Sequence, residues 1–149
     1  MIYTALTKQA LKLCFEAHRD QIDKSGMPYV FHPFHLAEQM DTEESTIVAL
    51  LHDIVEDTDY TLQDLKALGF PCNVIDALAL MTHDPKVPYM EYVKGISANP
   101  LATKVKLADL RHNSDLSRLD SVDEKVLSRV KKYAVAIELL EGVACQATI

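Results

Sequence analysis

Apolar residues recur at helical spacing almost from the start of the chain. Ala5, Leu6, Ala10, Leu13, Cys14 and Ala17 fall on one face of a segment over about residues 4–19, which the Lys24-Ser25-Gly26-Met27-Pro28 cluster closes. Pro33 suits the first position of a short helix reaching about Met40, with His32 in the loop ahead of it. Asp41 and Glu44 have capping-box spacing, and Ile47, Val48, Leu50, Leu51, Ile54 and Val55 then run to Asp57 as the best-defined helix of the chain. Thr61 opens a capped segment that stops at Gly69, a residue type suited to the left-handed turn after a helix. Prolines introduce further helices over about 71–81, 88–98 and 100–116, and Ser121 with Glu124 caps a last one running to Glu141 and ended by Gly142. No stretch alternates with the period of a strand. The pattern predicts an all-α fold, a single compact bundle of about eight helices over residues 1–149.

Two places break the apolar rhythm. Within Leu51-His52-Asp53-Ile54-Val55-Glu56-Asp57 a histidine and three acids interrupt a hydrophobic helix, with His52 and Glu56, and likewise Asp53 and Asp57, one turn apart on shared faces. On the helix from Pro100, Asp109 falls among Val105, Leu107, Ala108 and Leu110 and shares a face with Asn113. Burying a lone carboxylate costs several kcal/mol unless it is paired or bound to a cation. His32, His52, Asp53 and Asp109 would supply two imidazoles and two carboxylates from three separate segments. Such a set suits Mn²⁺, Fe²⁺ or Zn²⁺ better than Ca²⁺.

Charge narrows the partner. With 22 acidic against 15 basic residues the chain carries a formal charge of -7, the wrong sign for a nucleic-acid polymer. A small anionic substrate would need a metal or a few placed Lys and Arg side chains. The three cysteines, Cys14, Cys72 and Cys145, are far apart and suggest neither a disulfide framework nor a thiolate zinc site, which fits a reducing, cytoplasmic setting. The N-terminus lacks a basic segment followed by an apolar stretch, and no apolar run approaches membrane-spanning length, so no membrane partner is expected.

His18, then Lys24-Ser25-Gly26-x-Pro28-Tyr29-x-x-His32-Pro33, then Ala49-Leu50-Leu51-His52-Asp53-x-x-Glu56-Asp57-Thr58-x-x-Thr61, then Lys106-Leu107-Ala108-Asp109-x-x-x-Asn113, resembles in order the HD-type hydrolase domain of the RelA/SpoT alarmone enzymes. The short chain is similar to a stand-alone small alarmone hydrolase. The resemblance implies an HD-domain bundle in which His32, His52, Asp53 and Asp109 hold a divalent metal, normally Mn²⁺. It implies Glu56 and Asp57 as the acidic catalytic pair, and Lys24, Ser25 and Asn113 as nucleotide contacts, while Lys106 could offset phosphate charge. The implied reaction removes pyrophosphate from the 3′ position of guanosine tetra- or pentaphosphate. That agrees with the residue chemistry, in which a metal polarises a phosphoryl oxygen while a carboxylate orients water or takes its proton. Alternatives are an HD phosphohydrolase for a different nucleotide or phosphoester, and an inert nucleotide-binding regulatory module.

The family commonly has glycine at the position of Asp20 and a base-stacking arginine at that of Asp23. It also has arginine where Leu110 stands, with Arg111 one residue later, and a polar residue at Leu116. Asp23 is expected to repel a nearby phosphate, so that arginine there would improve catalysis. Among the remaining candidates, His18 is expected on the helix surface or behind the site and His35 in a structural role. His83 is expected in solvent, His112 turned away from the Asp109 face and Tyr29 packed beneath the site. The run Arg129-Val130-Lys131-Lys132 is expected to be a solvated face.

Overall fold

Helix α3 (Glu43–Leu51) is the centre of the molecule: every residue from Ser45 to Leu51 is buried, the pattern of a helix enclosed on all sides. Around it pack α1 (Ala5–Ala17), α2 (Phe31–Glu38), α6 (Cys72–Met81) and α8 (Pro100–Asn113). A short α4 (Ile54–Asp57), α5 (Leu62–Ala67) and α7 (Tyr89–Ser97) complete the bundle with the long α9 (Glu124–Ala147), which packs on α7 and α8. A 3-10 turn, Leu116–Arg118, follows α8. This computed structural model describes residues 1–147, and no strand occurs among them, only an isolated bridge between Ile22 and Pro28. The fold is all-α. No helix among the described residues is long and apolar enough to cross a membrane.

Several boundaries differ from the sequence reading for local reasons. The helix expected to run on to Asp57 breaks at His52 and Asp53, which separate α3 from α4. The His52 ring takes the Ala49 carbonyl through Nδ1 at 2.8 Å, giving that last-turn carbonyl a side-chain partner, and Asp53 lies at φ -104°, ψ 2°, outside helical geometry. Helix α2 starts at Phe31, so His32 lies inside it and Pro33 at its third position, where the missing N–H would have had no partner within the helix anyway. The cap of α3 is Thr42 with Ser45, not Asp41 with Glu44; Asp41 instead pairs with Lys104 of α8. Asp123, not Ser121, caps α9 by accepting the Val126 N–H, and α9 runs through Gly142 to Ala147. Gly69 does stop the preceding helix, at φ +97°.

The consequence of this packing is positional. The buried α3 ends by delivering His52 into the interior, α2 brings His32 beside it, and α8, buried from Leu107 to Leu110, brings Asp109 from the opposite side. The Thr42 cap holds the start of the helix on which this depends. Thr42→Ala is expected to cost about 1 kcal/mol and lower the melting temperature by about 2 to 4 °C. Asp41→Ala, which removes an exposed ion pair, should leave the melting curve in place.

Candidate metal centre and substrate cleft

Three buried side chains from three helices converge. Nε2 of His32 lies 2.9 Å from Asp109 Oδ1, Nε2 of His52 lies 3.5 Å from the same oxygen, and the ligand atoms of the three residues all lie within 4.8 Å of one another. Asp53 stands beside them, its Oδ2 at 3.1 Å from His52 Nε2 and receiving the hydroxyl of Tyr29. Asp109 is only 4% exposed and collects partners from its own helix as well: Lys106 Nζ donates to Oδ2 at 2.8 Å and Asn113 Nδ2 to Oδ1 at 2.9 Å.

The electrostatics ask for a cation at the centre. Burial opposes charge on His52, yet the carboxylates of Asp53 and Asp109 outweigh it and hold its pKa well above the ordinary value. Asp109 is likewise held far below the usual carboxylate range against its burial, by Lys106 and the two imidazoles. His52 commits Nδ1 to the Ala49 carbonyl, so Nε2 is the nitrogen turned to the carboxylates, and it completes no hydrogen bond there. A buried nitrogen without a partner, facing two acids and a second imidazole, fits a divalent metal bound by His32, His52 and Asp109 with Asp53 at its edge.

The acidic pair lies to one side. Glu56 accepts the backbone N–H of His83, which ties α4 to the loop before α7. Asp57 sits at the surface of the site with its carboxyl raised to about 6, by partial burial first and then by the charges of Asp53 and Glu56. Both side chains are exposed. Lys106, expected to meet phosphate, is largely buried and directs its charge to Asp109, with its ammonium 5.4 Å from the centre of the Tyr92 ring.

On the other side a cavity of about 300 Å³ opens between the 22–29 loop, the turn after α8 and the start of α9. Tyr29 and Asn113 form its inner wall and both touch cluster residues, Asp53 and Asp109, so the cavity adjoins the centre. Lys24, Ser25, Arg118 and Arg129 line it as well. Burial and the nearby charges of Arg129 and Lys132 depress the pKa of Lys24, and the three cations Lys24, Arg118 and Arg129 line the cavity against two carboxylates, Asp23 and Asp115. In a chain of charge -7 this small local excess of positive charge stands out from the rest of the protein.

Asp23 behaves differently from the sequence reading. Its Oδ1 accepts from the Ser25 N–H at 2.9 Å, the Ser25 hydroxyl at 2.6 Å and the Met27 N–H at 3.1 Å, while Oδ2 faces Arg118 at 3.3 Å. Its charge is therefore committed to folding the loop and holding Arg118. Arg111, by contrast, turns outward to Glu141 at 2.5 Å. The sequence places Arg129 in a solvated run, yet Val126, Arg129, Val130 and Tyr133 repeat at helical spacing along one face of α9, and all four line the cavity. Lys132 lies over the Tyr89 ring at 4.3 Å.

Of the other histidines, His18 and His35 take expected placements, behind the site and in a packing role, whereas His83 and His112 depart from theirs. His18 is buried, with Nδ1 2.9 Å from Gln21 Oε1 and its ring against Tyr29. His83 stacks on Tyr92 and reaches the Val87 carbonyl. His112 turns toward the centre, with Nδ1 2.6 Å from Nδ1 of His32. Its neighbour His35 is exposed and stacks on it.

No family model matches the chain. The guanosine-3′,5′-bis(diphosphate) 3′-pyrophosphohydrolase MESH1 of Danio rerio is 33% identical, over 77% of this chain and 71% of its own length. The protein of the same description from Homo sapiens is 35% identical, over 74% of this chain and 69% of its own length. A solved structure described as a metazoan ortholog of SpoT that hydrolyses ppGpp superposes with a TM-score of 0.75 at 25% identity, covering 96% of this chain and 89% of that one. The chain spans only 18% of a longer relative, a probable GTP pyrophosphokinase of Mycobacterium leprae.

The raised Asp57 carboxyl has a consequence for stability. Because its folded pKa lies above the unfolded one, the charge costs stability as pH rises from about 4 through about 6. In metal-free protein, Asp57→Asn is expected to stabilise above about pH 6, the gain fading toward pH 4. Urea unfolding across that range measures it, and a gain independent of pH would refute the assignment.

Proposed function

Since the chain belongs to the HD-type alarmone hydrolases of the RelA/SpoT kind, we propose that residues 1–149 act as one hydrolase domain that removes the 3′-pyrophosphate of guanosine tetra- or pentaphosphate. The observation that carries the reading is the pairing of a buried His32–His52–Asp109 cluster with an adjoining cationic cavity in an otherwise acidic protein. Water, giving up a proton, adds to the phosphorus borne by the ribose 3′ oxygen, the bond from that oxygen breaks, the oxygen takes up a proton to become the 3′ hydroxyl, and GDP or GTP leaves with pyrophosphate. In this reading His32, His52, Asp53 and Asp109 would hold Mn²⁺, which when bound supplies the Lewis acidity that polarises phosphoryl oxygen and acidifies water.

The chain's own residues do the rest. Asp57, with a carboxyl near neutrality, accepts a proton from the attacking water, and Glu56, fixed by the His83 N–H, orients it. Lys24, Arg118 and Arg129 bind phosphate oxygens, and Ser25 and Asn113 contact the nucleotide from the cavity wall. Tyr29, through its bond to Asp53, keeps that carboxylate turned toward the centre. The reaction is assigned to the cytoplasm.

A panel of nucleotides incubated with Mn²⁺-loaded protein and resolved by chromatography tests the reading. Guanosine 3′-pyrophosphates should release pyrophosphate; if they stay intact while another nucleotide is cleaved, the substrate assignment falls. Glu56→Gln and Asp57→Asn should each lower turnover by about 10² or more with metal binding retained. Undiminished turnover in both would mean that the acidic pair is only a solvated helix end.

The Asp23 geometry reverses the effect expected from sequence. Asp23→Arg would remove three loop hydrogen bonds and set two guanidinium groups against each other. It should raise KM about tenfold or more with kcat little changed. A lowered KM would show that the loop tolerates the change and that the carboxylate hinders substrate.

A further inference from the structure

His32 can bind a metal through Nε2 only if its proton resides on Nδ1, so whatever faces Nδ1 decides whether the ligand lone pair is available. In most metal sites that neighbour is a carboxylate, a carbonyl or water. Here it is another imidazole. His32 and His112 have ring planes within 6°, centroids 4.9 Å apart and Nδ1 atoms 2.6 Å apart. Those values together place the two rings edge to edge in one plane, the arrangement of a linear N–H···N bond and not of face stacking. One proton lies between the two nitrogens, because two would clash and none would leave two lone pairs opposed.

The His112 ring is itself held. His35, one helical turn beyond His32 on α2, stacks face to face on it with centroids 4.2 Å apart. The backbone carbonyl of His112 accepts Arg118 Nη1 at 2.8 Å, which fixes the end of α8 beside the cavity. The ring thus has a fixed plane and a fixed height relative to His32.

We propose that His112 is a positioning residue for the metal centre: its Nδ1 receives the Nδ1–H of His32, locking His32 in the tautomer that presents Nε2, while His35 keeps the His112 ring in plane. This rests on His32 being a ligand, as in the reading above. It also gives two histidines that supply no ligand, His112 and His35, a defined part in the centre, and explains why a residue one position before Asn113 is turned inward and not out to solvent.

Two substitutions separate hydrogen bonding from packing. His112→Phe keeps a flat ring for His32 and His35 to pack against but has no acceptor; His112→Asn gives up the ring but can place an amide oxygen at the position of Nδ1. Mn²⁺ affinity of the purified protein is measured by calorimetry, with thermal melting of the metal-free protein as the check on fold. His112→Phe is expected to weaken Mn²⁺ binding about 10- to 100-fold, the range for losing the partner of a metal-ligating histidine, and His112→Asn to recover most of that loss. Binding in His112→Phe equal to the parent protein, or an equal loss in both variants, overturns the proposal while leaving the metal site itself in place. Failure of the parent protein to bind Mn²⁺, Zn²⁺ or Fe²⁺ overturns the metal reading and this proposal with it.

Discussion

The carboxylate of Asp109 is the constraint from which the rest of the site follows. A charge this deeply enclosed cannot persist without partners, and the fold supplies four: His32 from α2, His52 from the end of α3, and Lys106 and Asn113 from its own helix. Each partner tethers a different part of the bundle to one point. The packing of α2 and α8 against α3 is hydrophobic in energy, but its register is fixed where these polar atoms meet. The same carboxylate that would be destabilising alone becomes the feature that sets where the helices stop sliding.

Lys106 shows how the site divides its charges. Its ammonium offsets one oxygen of Asp109 and leaves the other to the imidazoles, so two carboxylates, Asp53 and Asp109, face His52 with only one fixed cation between them. That imbalance raises the His52 pKa, and it makes the centre receptive to a divalent ion in place of a proton. The adjoining cavity has the opposite sign. Lys24 reaches it from the 22–29 loop, and Arg118 and Arg129 from the turn after α8 and from α9, so its cations come from segments far apart in sequence, and a net charge of -7 conceals them.

The helices and the chemistry of the centre were legible because they rest on local rules. Apolar spacing, prolines at helix starts and the anomaly of acids within apolar runs depend only on near neighbours. Where these rules compete, the reading slipped. Thr42 and Asp41 both have the chemistry of a cap; Thr42 takes it together with Ser45, while Asp41 pairs with Lys104 on a distant helix. The break at His52 comes from a side chain claiming a backbone carbonyl, which no propensity for helix reveals. The cavity was the least legible part. Arg129 looked like one more surface cation until α9 was laid against α8, and Asp23 looked like an intruder among phosphates until its loop was seen to close upon it.

Arg118 is held on two sides within the cavity lining, and this bears on what an acidic loop does there. Arg118 is held by Asp23 and by the His112 carbonyl, so its guanidinium is already oriented before any ligand arrives. A side chain fixed in advance loses less entropy on binding than one recruited from solvent, and a planar guanidinium with several donors has capacity left for a phosphate after two bonds are committed. An arginine at position 23 would sit in the 22–29 loop facing Arg118. Here the cation sits on the turn after α8 and the loop carboxylate holds it, so the residue at position 23 orients a positive charge instead of carrying one.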